Sequence, residues 1–229
     1  MNLLERRREL LNSEKIYKYN TCLLCHAEDF TDSSNYAHTI TNNNGVTLNT
    51  NHKKIGNSSF YFSGSNNLYV TPSKRFNFKD GDWTFDAWVR IKKQSNDSFF
   101  FSGGTTGSLF IGLNVSDGYL NFGIGRAGIA WDNTYSLGIR NTSYLNVSPI
   151  WQHLAVVKSS NKVYFFVDGS LKSTQNNVQS YSMLNGECDI GSQGSAYYFN
   201  GYIDELRVSN VARWTSNFTV PTAAYTDVD

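Results

Sequence analysis

Proline is scarce in this chain, 3 of 229 residues, and charge of either sign is thin at 17%. Rare proline alongside abundant asparagine suits many short strands joined by Asn/Gly turns. No apolar run approaches the roughly 20 residues needed to span a bilayer, which excludes membrane insertion by a helix. No excess of one sign is present either: 20 Lys and Arg face 19 Asp and Glu, giving +1 and a pI near 7.7. A chain so balanced lacks the basic field that phosphate backbones select, so nucleic acid is not an expected partner. Cysteine is limited to 3 residues, an odd number that argues for reduced thiols over a disulfide framework. The N-terminal run MNLLERRRELLNSEK places charges where a signal peptide needs an apolar stretch. Synthesis and folding in a cytoplasm is therefore the expectation.

What is present is aromatic and periodic. Aromatics make up 15% of the chain. Leu3, Leu4, Leu10 and Leu11 recur at near-helical spacing among Glu5, Arg6, Arg7, Arg8 and Glu9, predicting a short helix. Such a helix is marginal alone and must dock on its own domain or on a partner. From residue 21 onward the period changes to two, in segments such as SSFYFSG, WTFDAWVRIKK, SLFIGLNVS, WQHLAVVKSS, NKVYFFVDG and GYIDELRVS. Turns are read at Ser116-Asp117-Gly118, Ser159-Ser160-Asn161 and Asp168-Gly169. A chain of this length supports one substantial core, and no internal repeat of 20 to 50 residues stands out. The expected organisation is a helical segment over residues 1–20 and one antiparallel, all-β domain over residues 21–229.

Four blocks in order carry a resemblance: KKIGNSSFYFSGSNNLYV, FKDGDWTFDAWVRIK, WQHLAVVKSSNKVYFFVDG and FNGYIDELRVSNVARWTSNFTVP. Over roughly residues 22–224 the chain resembles laminin-G-like, concanavalin A-like jelly-roll domains. The resemblance implies a β-sandwich of two curved antiparallel sheets, here preceded by the short helix. The ending ARWTSNFTVPTAAY resembles versions of this domain in bacteriophage virion proteins, although bacterial surface proteins and lectin-like modules use similar endings. The function implied is a non-enzymatic binding or structural module of a virion, in a phage tail or on a capsid surface, recognising host glycans. A carbohydrate-active enzyme and a bacterial adhesion module are the alternatives. Expected partners are other virion proteins, a cell-surface glycan and further copies of the chain; the expected location is the virion, assembled in the host cytoplasm.

Three motifs compete with that reading. Cys22-Leu23-Leu24-Cys25-His26 has the spelling of a haem c attachment site. It falls where the family places its first strand, and residues three apart on a strand face opposite ways, so the two thiols would not share a haem or a metal. Gly123 to Gly128 spells the dinucleotide fingerprint GIGRAG, but no helical period follows to receive a pyrophosphate. Glu187 and Asp189, at i and i+2, share one strand face and are the acid pair an enzyme reading needs. The third acid usual in such enzymes is replaced by Ile190-Gly191-Ser192-Gln193.

Candidate site residues fall in two sets. Trp88 and Trp151 alternate with apolar residues and are expected in the core, whereas Trp131, Tyr135, Tyr197 and Tyr198 lie in Gly/Ser/Asn-rich surroundings where exposed rings could stack on sugars. Tyr144 has similar surroundings. Asn57, Asn96, Asn114, Asn141, Asn146 and Asn217 begin Asn-x-Ser/Thr sequons, expected to stay unmodified without export. The stretch Glu28 to Asn35 concentrates carboxylate and amide oxygens of the kind calcium takes. By resemblance, a structural calcium ion would sit where this loop meets an Asp of the final strand, held by Asp29, Asp32, Asn35 and Asp204. The alternative is that Asp29 and Asp32 make side-chain turns, with Asp204 paired to Arg207 or Arg90.

Overall fold

The computed structural model describes residues 19–78, 81–92, 97–103, 110–114, 119–124, 133–140, 150–176 and 188–227. The predicted N-terminal helix and Trp131 lie outside them. Within them the chain forms β1 (Thr21–Cys25), β2 (Ile40–Asn43), β3 (Thr47–Asn49), β4 (Ser59–Ser63), β5 (Asn67–Val70), β6 (Trp83–Ile91), β7 (Ser98–Ser102) and β8 (Phe110–Asn114). There follow β9 (Tyr119–Ile124), β10 (Asn133–Arg140), β11 (Gln152–Ser159), β12 (Lys162–Val167), β13 (Ser170–Gln175), β14 (Cys188–Ile190) and β15 (Asn200–Ser209). One sheet runs β13-β12-β11-β6-β15-β4-β3 with β1 also on β15, and the other runs β10-β9-β8-β7-β14-β5-β2. All described pairings are antiparallel. Among the described residues no helix is long and apolar enough to cross a membrane.

The period of two decides what each strand buries. On β6, Phe85, Ala87, Val89 and Ile91 enter the main core, which they share with Phe60 and Phe62 of β4, Ile203 of β15, and Val70, Phe101 and Ile190 of the opposite sheet. Phe85 meets Phe101 across the sandwich at 5.1 Å between ring centroids. Each such ring contributes about 1.5–3 kcal/mol by leaving water.

The turns read from sequence at residues 159–161 and 168–169 close their hairpins. Asp168 and Gly169 both have positive φ, 51° and 73°, the two-residue turn that matches strand twist. At Gly169 only a glycine fits, because a Cβ would lie 2.1 Å from the Phe218 carbonyl oxygen. That contact marks how the C-terminal segment docks: Phe218 N–H donates to the Gly169 carbonyl at 2.9 Å, and Leu171 N–H to Asn217 Oδ1 at 2.7 Å.

The segment from residue 210 crosses the outer face of the eight-stranded sheet, stacking Trp214 on Phe218 with centroids 3.8 Å apart. Phe218 in turn packs on Phe166 and His153. This cover buries Trp88, as expected, and corrects the placement of Trp151. Trp88 is buried, but on the outer face with Leu24 and Tyr225, and Trp151 is only partly buried beside it. Trp88 belongs to β6, whose alternate residues already fill the space between the sheets, and Trp151 immediately precedes β11.

Candidate functional site

Two of the expected sugar-binding aromatics sit on the loop that joins β14 to β15. Asp189 braces this loop: its Oδ1 accepts from Asn67 Nδ2 at 3.1 Å and its Oδ2 from the Gly194 N–H at 2.8 Å. Gln193 and Ala196 exchange both backbone hydrogen bonds, and the Ser102 hydroxyl donates to the Ser192 carbonyl. Phe199, fully buried, closes the far end against Phe62 and Phe100. Held between these anchors, Tyr197 adopts a left-handed backbone, φ 55°, and is 45% exposed. Tyr198 beside it is half-buried. A bulky residue in that conformation is sparsely populated and persists only where its surroundings fix it. In the same loop the Gln193 side-chain Nε2 is buried without a hydrogen-bond partner among the described residues. The exposed aromatic face of Tyr197 suits a ligand with apolar C–H faces.

Of the other two aromatics, Trp131 is outside the described residues, and Tyr135 lies on β10 opposite Phe122. Glu187 is also outside the described residues. Its expected partner in hydrolysis, Asp189, is 3% exposed, with one oxygen bonded to Asn67 of β5 and the other to the loop at Gly194.

The acidic loop after β1 is folded by its own side chains. Asp29 Oδ1 accepts from the Thr31 N–H and hydroxyl. Asp32 Oδ1 accepts from the N–H groups of Leu24 and Ser34 at 3.0 and 2.9 Å, while its Oδ2 takes the Ser34 hydroxyl, the His38 N–H and His38 Nδ1. Burial acts to raise the Asp32 pKa, but the His38, Leu24 and Ser34 hydrogen bonds outweigh it and hold the carboxyl below its ordinary range. The Asn35 N–H donates to Asp227. These are the side-chain turns that stood as the alternative to an ion: protons already point at oxygens a cation would need. Among the described residues, no group of three or more His, Cys, Asp or Glu is arranged to hold a metal. Asp29 and Asp32 thus make the turns of their own loop, and the function proposed below uses no ion.

Asp204 behaves differently. Its Oδ2 accepts from the N–H groups of Lys54 and Ile55 at 2.8 and 3.1 Å, whereas Oδ1 is buried without a partner among the described residues. Burial pushes its pKa up from 3.8 to about 7. Neither Arg expected beside it is an ion-pair partner, since Arg207 forks onto Asp86, Nε and Nη2 each at 3.1 Å.

That pair belongs to a buried network the sequence reading missed. Asp86 also lies 3.6 Å from His153 Nε2, which shares a 2.8 Å hydrogen bond with the Tyr225 hydroxyl, and Arg207 stacks over the Tyr225 ring. Glu205, on a bulge with φ 48°, accepts the Tyr225 N–H and engages His26 Nδ1 at 2.9 Å. The Glu205 hydrogen bond raises the His26 pKa against the opposing effect of burial. A signal existed: Asp86 and His153 each interrupt an apolar strand, and a charged residue there needs a partner.

The Cys-x-x-Cys-His run occupies β1, as expected, but not with its cysteines on opposite faces. A bulge between Thr21 and Leu23 shifts the register, and both Cys22 and Cys25 join the main core. Burial pushes the Cys22 thiol up to about 12 and Cys25 well above its ordinary value, so both stay protonated.

No curated protein sequence matches the chain. Among solved structures, the binding domain of Paraclostridial Mosquitocidal Protein 1 aligns with a TM-score of 0.67 at 13% identity, covering 84% of this chain and 49% of that one. The binding domain of botulinum neurotoxin DC, in complex with SialylT, aligns with a TM-score of 0.63 at 13% identity over 84% and 48%. Domain 4 of AbnA, an extracellular arabinanase of Geobacillus stearothermophilus, in complex with arabinotriose, gives 0.66 at 21% identity over 85% of this chain and 94% of that one. The chain thus spans about half of the toxin domains and nearly all of the arabinanase domain; at these identities the likeness is one of fold. The model of the concanavalin A-like lectin/glucanases superfamily described as Laminin_G_3 matches residues 62–216, most of the chain, and the protein belongs to that family.

Proposed function

We propose that this chain is a non-enzymatic glycan-binding module of a virion, carried on a phage tail or capsid surface. The observation that carries the glycan reading is Tyr197, an exposed aromatic held in a left-handed conformation on a loop braced at Asp189 and Phe199. Similar folds with sugars in hand, domain 4 of the arabinanase with arabinotriose and the neurotoxin domain with SialylT, support it. Use of Asp189 as a brace supports binding over hydrolysis. The virion reading is supported by the ending ARWTSNFTVPTAAY, whose aromatics and Val220 fasten the C-terminal segment across the sheet. The N-terminal residues 1–20 would join the module to other virion proteins or to further copies of itself.

Two experiments test this. Antibody labelling of purified particles should find the protein on them; its absence from particles would remove the virion role. Replacing Trp131 or Tyr197 by Ala should weaken glycan binding by about 1–3 kcal/mol, the range of hot-spot aromatics, and equal affinity for both variants and the parent would remove the platform.

A further inference from the structure

Among the described residues, the outer face of the eight-stranded sheet is covered at one end and open at the other. At the covered end, Trp214, Phe218, Val220 and Tyr225 lie over Phe166, His153 and Trp88. At the open end Tyr61 of β4 and Tyr202 of β15 sit opposite each other in register, with ring centroids 5.1 Å apart. Trp151 extends this surface at 6.4 Å from Tyr202, and His52 meets the same ring edge-on at 4.9 Å. Tyr61, Trp151 and His52 are half-exposed, and Tyr202, 8% exposed, is the floor between them.

Cations surround these rings. Arg90 lies over Tyr202 at 5.5 Å, Lys92 over Tyr61 at 5.0 Å with its Nζ 3.2 Å from the hydroxyl, and Lys54 over Trp88 at 4.0 Å. Lys53 and Lys54 are exposed in the adjoining loop. Among the described residues no carboxylate lies within ion-pair distance of Arg90. The acid on this stretch, Asp204, is fully buried and directs Oδ2 at the Lys54 and Ile55 N–H groups. The patch is therefore aromatic, positive and without its own counter-charge at Arg90.

We infer that this open end is a second binding surface, distinct from the Tyr197 loop, for an acidic oligosaccharide bearing carboxylate or sulfate groups. Half-exposed rings offer flat faces to the C–H side of a sugar. A guanidinium presents a planar fork that matches the oxygens of a carboxylate or sulfate. Neutral sugars would use only the rings and leave Arg90 without a counter-charge, so charge complementarity selects the anionic class. The inference rests on reading the chain as a glycan-binding module but concerns other residues, so the two can fail separately.

Calorimetric titration of the intact protein with a galacturonic acid tetramer and its methyl ester, and with a sulfated galactose tetramer and its desulfated form, tests it. At least one acidic form should bind, with its blocked counterpart at least about tenfold weaker; which acid binds identifies the anion. Arg90→Gln and Tyr61→Ala should each weaken that binding about tenfold, Arg90→Lys should retain part of it, and Tyr197→Ala should leave it unchanged. The surface is overturned if neither acidic tetramer binds, if blocked forms bind equally, if Arg90→Gln and Tyr61→Ala have no effect, or if Tyr197→Ala abolishes the binding. Acidic binding through Arg90 without any glycan bound at the Tyr197 loop would sustain this surface and remove the other.

Discussion

Asp32 and Asp204 are both buried carboxylates, one on the loop after β1 and one on β15, and they end in opposite states. Asp32 receives donors on both oxygens, from Leu24, Ser34 and His38, and its pKa falls. Among the described residues Asp204 receives two N–H groups on one oxygen and none on the other, and burial raises its pKa to about 7. Burial penalises both charges; the number of donors decides whether the charge survives. The same count bears on calcium, since the oxygens most saturated with protons are those of the loop that looked richest in ligands.

A third buried carboxylate gives the largest expected effect and sets the scale. Asp86 has a full cation beside it, so Asp86→Ala should cost about 3–5 kcal/mol in denaturant unfolding by stranding Arg207; a loss under about 1 kcal/mol would mean that pairing is not what settles these charges. Next is Asp204. Its folded pKa lies above its unfolded one, so its contribution is complete below about pH 4 and is lost as pH rises through about 7. Across that window wild-type stability should fall by about 3–4 kcal/mol from this group, and Asp204→Asn, which keeps an oxygen for Lys54 and Ile55, should flatten the dependence. An unchanged slope in the variant would show that Asp204 is ionised normally. Asp32 has the reverse sign: its contribution is present above the ordinary carboxylate range and lost as pH falls through its depressed value. Asp32→Ala should cost about 2–3 kcal/mol by leaving buried N–H groups unpaired, and should remove stability at neutral pH but not in strong acid. The smallest effect belongs to the ion: melting curves of metal-free protein in excess chelator and in millimolar calcium should coincide. A rise with calcium would bring Asp29, Asp32, Asn35 and Asp204 back as its ligands.

The strands, the turn at Asp168-Gly169 and the jelly-roll order were legible because period two, turn chemistry and four successive blocks are local signals. What was not legible is which face each strand shows to the core when both faces are covered. Trp88 and Trp151 read as core for that reason, since the C-terminal segment that buries the outer face lies some 60 to 140 residues away in sequence. The bulge in β1 was equally hidden; it brings Cys22 and Cys25 into one core although alternation separates them. Asp204 reads in sequence as an ion ligand or an arginine's partner because the backbone N–H groups it accepts from lie about 150 residues away, which no residue type announces. That Tyr197 and Tyr198 lie on a loop is legible in the Gly/Ser-rich composition around them, whereas the Asp189 brace of that loop is not.

Binding without turnover is the claim on which the rest depends. An array of neutral and acidic glycans probed with the intact protein, with each bound sugar then incubated and checked for cleavage, measures both at once. Retention of at least one glycan, weakened by Tyr197→Ala or Arg90→Gln and recovered intact, is the predicted result. Release of shortened sugars, or no retention on any glycan, would contradict it.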